Sequence, residues 1–294
     1  MVGPNKPINT NEFFVICINS LGSCFGSTSP ISINPETDEP YRLSFPVLSV
    51  EDIANAANEL LKVLDISVLH AVIGPSMGGM SALSFCQLHP GKAKRLVSIS
   101  SAARSSPFSI ALRSLQREII RNDPSWENGA YDLNGNGPIS GMRLARKLGM
   151  ITYRSAKEWS ARFGRERAME KDLKSGAFGV DFEIESYLES HANKFIGAFD
   201  PNCYLYLSRA MDLFDASDPD GNLENSFKQL KLEEALIIGV ETDLLFPISQ
   251  QEELAEALEK YVNKVRLVRL DSLQGHDSFL VDMDRFRPVI SSFI

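Results

Sequence analysis

Ser76 lies in Gly74-Pro75-Ser76-Met77-Gly78-Gly79, directly after the apolar run Leu69-His70-Ala71-Val72-Ile73. A buried strand feeding a sharp turn, with a small-residue stretch from Gly78 to Ala82 opening an apolar helix, is the layout of a nucleophile elbow. In such a turn the serine takes a strained backbone conformation that lifts its Oγ clear of the sheet. Glycines on either side remove the Cβ atoms that would clash. The helix that follows aims its first N–H groups at the anion formed when the serine attacks a carbonyl, which makes the Met77 N–H an oxyanion donor. Gly-rich strand-to-helix turns also serve as plain βα loops or phosphate cradles, but the flanking strand and helix favour covalent acyl transfer.

A serine hydroxyl is a poor nucleophile near neutral pH and needs a base, usually a histidine held by a carboxylate. The chain has four histidines. His70 reads as a core or strand-end residue, His89 before Pro90 as a helix-end cap, and His191 as a solvated mid-helix residue. His276, in Gln274-Gly275-His276-Asp277, follows the last predicted strand on a Gly-bearing loop, where open α/β sheets assemble their sites. The acid of such a triad falls between serine and histidine in the chain. Asp243 follows the predicted strand Ala235–Val240 in that place, although an Asp near Pro247 also suits a turn cap. An acyl-enzyme on Ser76 can be resolved by water or by an acceptor hydroxyl, and the pocket decides which. Asp277 could bind the ammonium of an amino-acid acceptor, and Arg154 its carboxylate in a bidentate pair. Taken by themselves, both are more often surface charges.

The elements that must position these residues alternate in the first half of the chain. Phe13–Ile18 reads as a strand, Val50–Leu64 as a helix, Leu69–Ile73 as the strand before Ser76, Met77–Leu88 as a helix and Leu96–Ser100 as a strand. Such alternation predicts a parallel sheet with right-handed crossovers. From Pro107 to about Leu232 the pattern becomes helical, with candidates at Ser109–Arg121, Gly141–Met150, Phe182–Phe195 and Asn202–Leu213. Strands resume at Ala235–Val240 and Val265–Leu270 around a helix at Gln250–Tyr261, and a last helix covers Arg285–Phe293. The expectation is an α/β core over 1–106 and 233–294, interrupted by a helical insertion over 107–232. The insertion serves as bulk, as an oligomer surface, or as a lid that forms the acceptor pocket.

Composition narrows the classes. A chain of 294 residues with 44% hydrophobic and 23% charged residues can build a sizeable core. The net charge of −8 argues against sequence-independent nucleic-acid binding, since no basic surplus exists to neutralise phosphates. No apolar run reaches the length of a membrane span, and Met1–Thr10 does not form a signal peptide. The four cysteines, Cys17, Cys24, Cys86 and Cys203, show no zinc-like pairing and no disulfide framework. Cys17 and Cys86 read as reduced core residues, and a reducing, cytoplasmic setting fits best.

The chain resembles the homoserine O-acyltransferase family of α/β hydrolases over nearly its whole length. Phe14–Pro30 resembles the family's Gly/Ser-rich signature loop, Gly74–Gly79 its elbow and Ser109–Arg121 its first insertion helix, while Thr152-Tyr153-Arg154-Ser155, Asp243–Pro247 and Gly275-His276-Asp277 complete the match. The resemblance implies an α/β-hydrolase fold with a mostly parallel sheet and a helical lid insertion. It implies Ser76 as nucleophile, His276 as base and Asp243 as its partner, with Arg154 and Asp277 contacting the acceptor's carboxylate and amine. Acyl-CoA is implied as co-substrate in a ping-pong reaction, with no cofactor and no metal, and a homodimer through the insertion helices.

Within that family Asn19–Cys24, Tyr41–Leu43, Ser114–Glu118, Pro201–Leu213 and Ser272–Asp277 are most similar to the serine O-succinyltransferases. The implied reaction moves a succinyl group from succinyl-CoA to L-serine, giving O-succinyl-L-serine for cysteine synthesis. Homoserine O-acetyl or O-succinyl transfer, serine O-acetyl transfer, a hydrolase that has lost its acceptor and an inactive truncated paralogue stay open. The loop Asn19, Ser20, Leu21 and Gly22 and the residues after Asp243 are expected to line the specificity pocket. Family members carry a further N-terminal segment of early strands and an oxyanion loop before the point where Met1 starts. The expectation is therefore a core without those strands, with Met77 as its one nameable oxyanion donor; losing such a donor costs about 10²–10³ in turnover. Pro75 and Ser29 also depart from the small residue and the glycine common in the family.

Overall fold

The computed structural model describes residues 1–135, 137–169 and 176–294. Two short ladders come first: β1 (Val2–Gly3) parallel to β2 (Ile8–Asn9), and β3 (Ile33–Asn34) antiparallel to β4 (Glu39–Pro40). The main sheet consists of β5 (Leu69–Pro75), β6 (Ala93–Ile99), β7 (Glu234–Val240) and β8 (Lys264–Leu270), side by side in that order and all parallel. Helix α1 (Val50–Val63) precedes β5, and α2 (Met77–Leu88) joins β5 to β6. Six described helices separate β6 from β7: α3 (Pro107–Arg121), α4 (Ile139–Tyr153), α5 (Ala156–Phe163), α6 (Glu183–Phe195), α7 (Pro201–Leu213) and the short α8 (Leu223–Ser226). Then α9 (Ile248–Glu259) links β7 to β8, and α10 (Ser278–Val281) and α11 (Met283–Ser291) follow.

The strands read as apolar runs because helices cover both faces of the sheet. On one face Leu96, Ala235 and Ile237 pack with Val50, Ala54 and Leu61 of α1, Met80 and Leu83 of α2, and Leu254 and Leu258 of α9. On the other, Val97, Ile99, Leu236, Ile238 and Val240 meet Phe286 and Ile290 of α11. Helix starts are set locally. Ser49 and Asp52 form a reciprocal capping box on α1. Ser106 and Asp200 cap α3 and α7, each followed by a proline at the first turn. Within the helical segment α3 packs on α4 and α7, and α4 on α6.

The structure corrects the reading at two points. Phe13–Ile18 enters no ladder, and β5 has no described strand on its free side. Ile16 packs against the core, but Phe14 is 80% exposed and Cys17 is exposed rather than in a core. The same free edge leaves His70 exposed, with its ring 4.7 Å from that of Phe13. Helix α5 is absent from the sequence-based expectation because its eight residues are too short for a periodic signal.

Burial predicts where the fold is sensitive. Leu254→Ala removes a side chain with 0% exposure and should cost about 2–5 kcal/mol, whereas Val63→Ala, at 82% exposure, should change stability by no more than about 0.5 kcal/mol. Urea unfolding of the two variants against the parent measures both.

Candidate active site

The nucleophile turn is shaped by backbone crowding. A Cβ on Gly74 would lie 2.0 Å from the Gly78 carbonyl oxygen, and one on Gly79 would lie 2.5 Å from Ser101 Cβ. Ser76 between them is held at φ 52° and ψ −124°, outside the regions an L-residue adopts without strain. Its N–H donates to Ile99 O at 2.9 Å, and its carbonyl accepts from Gly79 N at 2.9 Å. Ser76 thus ends β5, caps α2 and presents its Oγ above the carboxyl edge of the sheet. The Met77 N–H opens α2, where first-turn amides have no partner within the helix.

The loops after β7 and β8 bring the other two residues to it. His276 Nε2 lies 2.9 Å from Ser76 Oγ, and His276 Nδ1 lies 2.8 Å from Asp243 Oδ2. Asp243 Oδ1 accepts from the N–H groups of Leu245 at 2.9 Å and Phe246 at 3.0 Å, which fixes the carboxylate. Thr242 Oγ1 donates to Ser272 O at 2.6 Å and accepts from Gly275 N at 3.2 Å, tying one loop to the other. The imidazole stacks on Phe246 at 5.1 Å, meets Phe279 edge-on at 5.5 Å and has Tyr153 at 6.1 Å. His276 and Asp243 are buried, at 5% and 4% exposure. With Nδ1–H donating to Asp243, Nε2 is the lone-pair nitrogen that faces the serine hydroxyl.

The loop Asn19–Gly22 reaches the same neighbourhood. Leu21 packs with Met77 against Leu48, Ile53, Leu207 and Ala210. Asn19 O accepts from Ser27 Oγ at 2.7 Å, and its Nδ2 is buried without a partner.

Arg154 and Asp277 are brought together, but as partners of each other. Arg154 Nε lies 3.2 Å from Asp277 Oδ2, its Nη1 bonds Gln274 Oε1, and Glu158 lies 3.8 Å away. Burial pushes the Asp277 carboxyl above its ordinary value, and the nearby Arg154, His276 and Arg146 pull it back.

Arg146 is a functional candidate that sequence reasoning missed. Its guanidinium lies 5.7 Å from the Tyr153 ring centroid and 4.7 Å from that of Phe195, with no acidic partner among the described residues. Its Nε is buried and makes no hydrogen bond. The available signal was helical spacing: Arg146 and Tyr153 lie two turns apart on α4, on the stripe that buries Met142, Gly149 and Met150. A second basic group lies nearby. Arg113 Nε and Arg117 Nη2 each approach Asp212 at 2.6 Å. The Tyr204 hydroxyl is pushed up by burial, with Arg146, Arg113 and Arg117 all opposing the shift, and Tyr153 likewise feels Arg146 and Arg113. Arg113 and Arg117 share the single carboxylate of Asp212, while Arg146 makes no ion pair among the described residues and acts across a longer distance on Asp277.

Asp243→Asn should keep the packing but reverse the hydrogen bond to Nδ1, and so favour the wrong imidazole tautomer. Turnover should fall by about 10⁴, measured as the rate at which a fluorophosphonate labels Ser76. A fall under tenfold would place the orientation of His276 elsewhere.

Comparison with known proteins agrees with this geometry. A family model described as alpha/beta hydrolase fold matches residues 5–282. A serine O-succinyltransferase of Stenotrophomonas maltophilia (strain K279a) is 54% identical over 295 residues, covering 100% of this chain and 80% of that protein. The crystal structure of homoserine O-acetyltransferase from Bacillus anthracis superposes with a TM-score of 0.88 at 27% identity, over 99% of this chain and 79% of that one. Esterase E22 gives 0.87 at 30% identity, over 99% and 80%. The chain therefore belongs to the alpha/beta hydrolase fold family and, within it, to the group of the serine O-succinyltransferases.

Proposed function

We propose that the protein transfers a succinyl group from succinyl-CoA to the hydroxyl of L-serine through an ester on Ser76. His276 Nε2 takes the Ser76 proton as Oγ attacks the thioester carbonyl carbon, and the Met77 N–H meets the developing oxyanion. The C–S bond breaks, and the imidazolium returns the proton to the departing CoA thiolate. In the second half Nε2 takes the proton of the acceptor hydroxyl, whose oxygen attacks the succinyl ester. The bond to Ser76 Oγ breaks and the proton goes back to that oxygen, leaving O-succinyl-L-serine. This product carries an activated leaving group of the kind that supports cysteine synthesis.

The observation that carries this reading is the group of three guanidiniums, Arg146 against the rings of Tyr153 and Phe195 and Arg113 and Arg117 sharing Asp212. A succinyl ester brings one carboxylate to the site and an amino-acid acceptor brings another. Arg146, held by aromatic rings and unpaired, suits the acceptor carboxylate, while the Arg113–Asp212–Arg117 group suits the distal carboxylate of the succinyl chain. Asp277 takes the acceptor ammonium, exchanging for it the ion pair that it makes with Arg154. An acetyl group would leave one of these charges unused.

The assembly we propose is a homodimer. Phe108 and Leu115 on α3, with Leu144 and Ile151 on α4, are between 44% and 53% exposed at spacings that align each pair along one helix face. No described helix is long and apolar enough to cross a membrane.

Thiol release from succinyl-CoA and acetyl-CoA, each with L-serine, L-homoserine or no acceptor, tests the reaction. The expected product, identified by mass, is O-succinylserine. Arg146→Ala should raise KM for serine by about 10–100-fold, the loss of one charge-assisted contact. Arg113→Met should slow succinyl-CoA more than acetyl-CoA. Thiol release indifferent to the acceptor would show a hydrolase instead.

A further inference from the structure

We infer that Thr242 and Ser272 are positioning residues: they carry the coupling of β7 and β8 past the end of the sheet and so set where His276 stands. The last paired residues of the two strands are Val240 and Leu270. Glu241 N still donates to Leu270 O at 3.1 Å, and the ladder ends there. The Thr242 hydroxyl takes over. Its Oγ1 donates to Ser272 O at 2.6 Å and accepts from Gly275 N at 3.2 Å.

Two adjacent residues thus hold two adjacent residues. Thr242 binds the backbone of Gly275, and Asp243 binds the ring of His276 at 2.8 Å. The contact to the ring alone fixes one nitrogen and leaves the imidazole free to swing about it. With the backbone one residue earlier also fixed, Nε2 is held on the line toward Ser76 Oγ, 2.9 Å away. Ser272 anchors the other end of the loop. It is fully buried, and its Oγ donates to Asp282 Oδ2 at 2.7 Å and accepts from Gln274 N at 3.3 Å. Asp282 is itself held by Arg285 Nε at 2.9 Å. Ser278, also fully buried, donates to Gly275 O at 2.5 Å. Both polar groups of the Gly275 backbone therefore meet hydroxyls, Thr242 at the N–H and Ser278 at the carbonyl.

A valine at position 242 would keep the shape of threonine and lose both hydrogen bonds. The Ser272 carbonyl and the Gly275 N–H would then be left unpaired, and the loop would settle elsewhere to satisfy them. A base displaced by about 1 Å loses on the order of 10² in rate. Because His276 serves acylation and deacylation alike, the loss falls on both half-reactions. A lost contact to one substrate falls on one half-reaction alone.

The inference rests on the Ser76–His276 chemistry of the proposed transferase but not on the identity of its donor. The readout is accordingly the labelling of Ser76 by a fluorophosphonate in the full chain, with kcat and KM for serine measured alongside. The final extent of labelling counts folded molecules, whereas the rate constant reports the nucleophile and its base. Thr242→Val should lower the rate constant by about 10–100-fold at full extent. It should lower kcat as well and leave KM for serine within about twofold of the parent. Thr242→Ser keeps the hydroxyl and should stay within about threefold of the parental rate constant. Ser272→Ala keeps the carbonyl but loses the tie to Asp282, and should slow labelling by about 3–10-fold. A parental rate constant in Thr242→Val overturns the inference, whether the extent of labelling is full or reduced. Equal slowing in Thr242→Val and Thr242→Ser overturns it too, since the hydroxyl would then not be the cause. If Thr242→Val does not fold by circular dichroism, slowing in Ser272→Ala supports the inference and a parental rate constant there overturns it. A parent that labels normally yet releases no thiol from succinyl-CoA would refute the donor assignment and leave the roles of Thr242 and Ser272 standing.

Discussion

The site depends first on how closely β5 and α2 approach each other across Ser76. Only hydrogen fits where Gly74 meets the Gly78 carbonyl and where Gly79 meets Ser101. That crowding drives Ser76 to φ 52°, a conformation that costs about 1–3 kcal/mol for a residue with a side chain. The neighbouring helix pins it there, since Met80 and Leu83 are 0% exposed against the sheet. A serine hydroxyl at a fixed point above the sheet edge cannot adjust to its base. The base has to be delivered to it, and the loops after β7 and β8 are tied together through Thr242.

The order of these parts explains why the triad is legible in the sequence. Ser76, Asp243 and His276 each follow an apolar run within a few residues, and a parallel sheet puts all such positions at one edge. The start of α1 at Val50 agrees with the apolar period, whereas α3 and α7 begin at Pro107 and Pro201, ahead of the expected Ser109 and Asn202, because Ser106 and Asp200 cap them before the period begins. Phe13–Ile18 is not legible in this way. Its β-branched and aromatic residues satisfy the strand pattern, but a strand exists only by pairing, and pairing is not a property of the segment.

The electrostatic organisation was hidden for a related reason. Arg146 sits in Leu144-Ala145-Arg146-Lys147-Leu148, among the cations of an ordinary amphipathic helix. Lys147 and Arg143 turn outward to Glu189, while Arg146 turns inward over Tyr153 and Phe195. Which of three basic residues faces the site depends on how α4 rolls against α3 and α6. Arg113 and Arg117 are similar: their spacing on α3 suggests a solvated charged face until α7 supplies Asp212 beneath them.

Arg146 and Arg154 are eight positions apart and carry the same side chain, yet the structure gives them opposite electrical states. Arg154 meets the Asp277 carboxylate through Nε and the Gln274 amide oxygen through Nη1, so its charge is met in part by groups of the loop that carries His276. Arg146 meets two aromatic faces, which attract a cation through their quadrupoles without cancelling its charge. A half-buried cation stabilised in this manner keeps its field for an arriving anion, while one already paired would have to break a bond first. Keeping such a charge unpaired costs stability in the free protein, because desolvation is not offset by a counter-ion. The cost is recovered when a carboxylate binds, so the free energy that the fold forgoes appears as affinity for the anionic ligand. Ring neighbours at one arginine and polar neighbours at the other therefore give two guanidiniums, on a single helix and the turn that ends it, different costs for taking an anion.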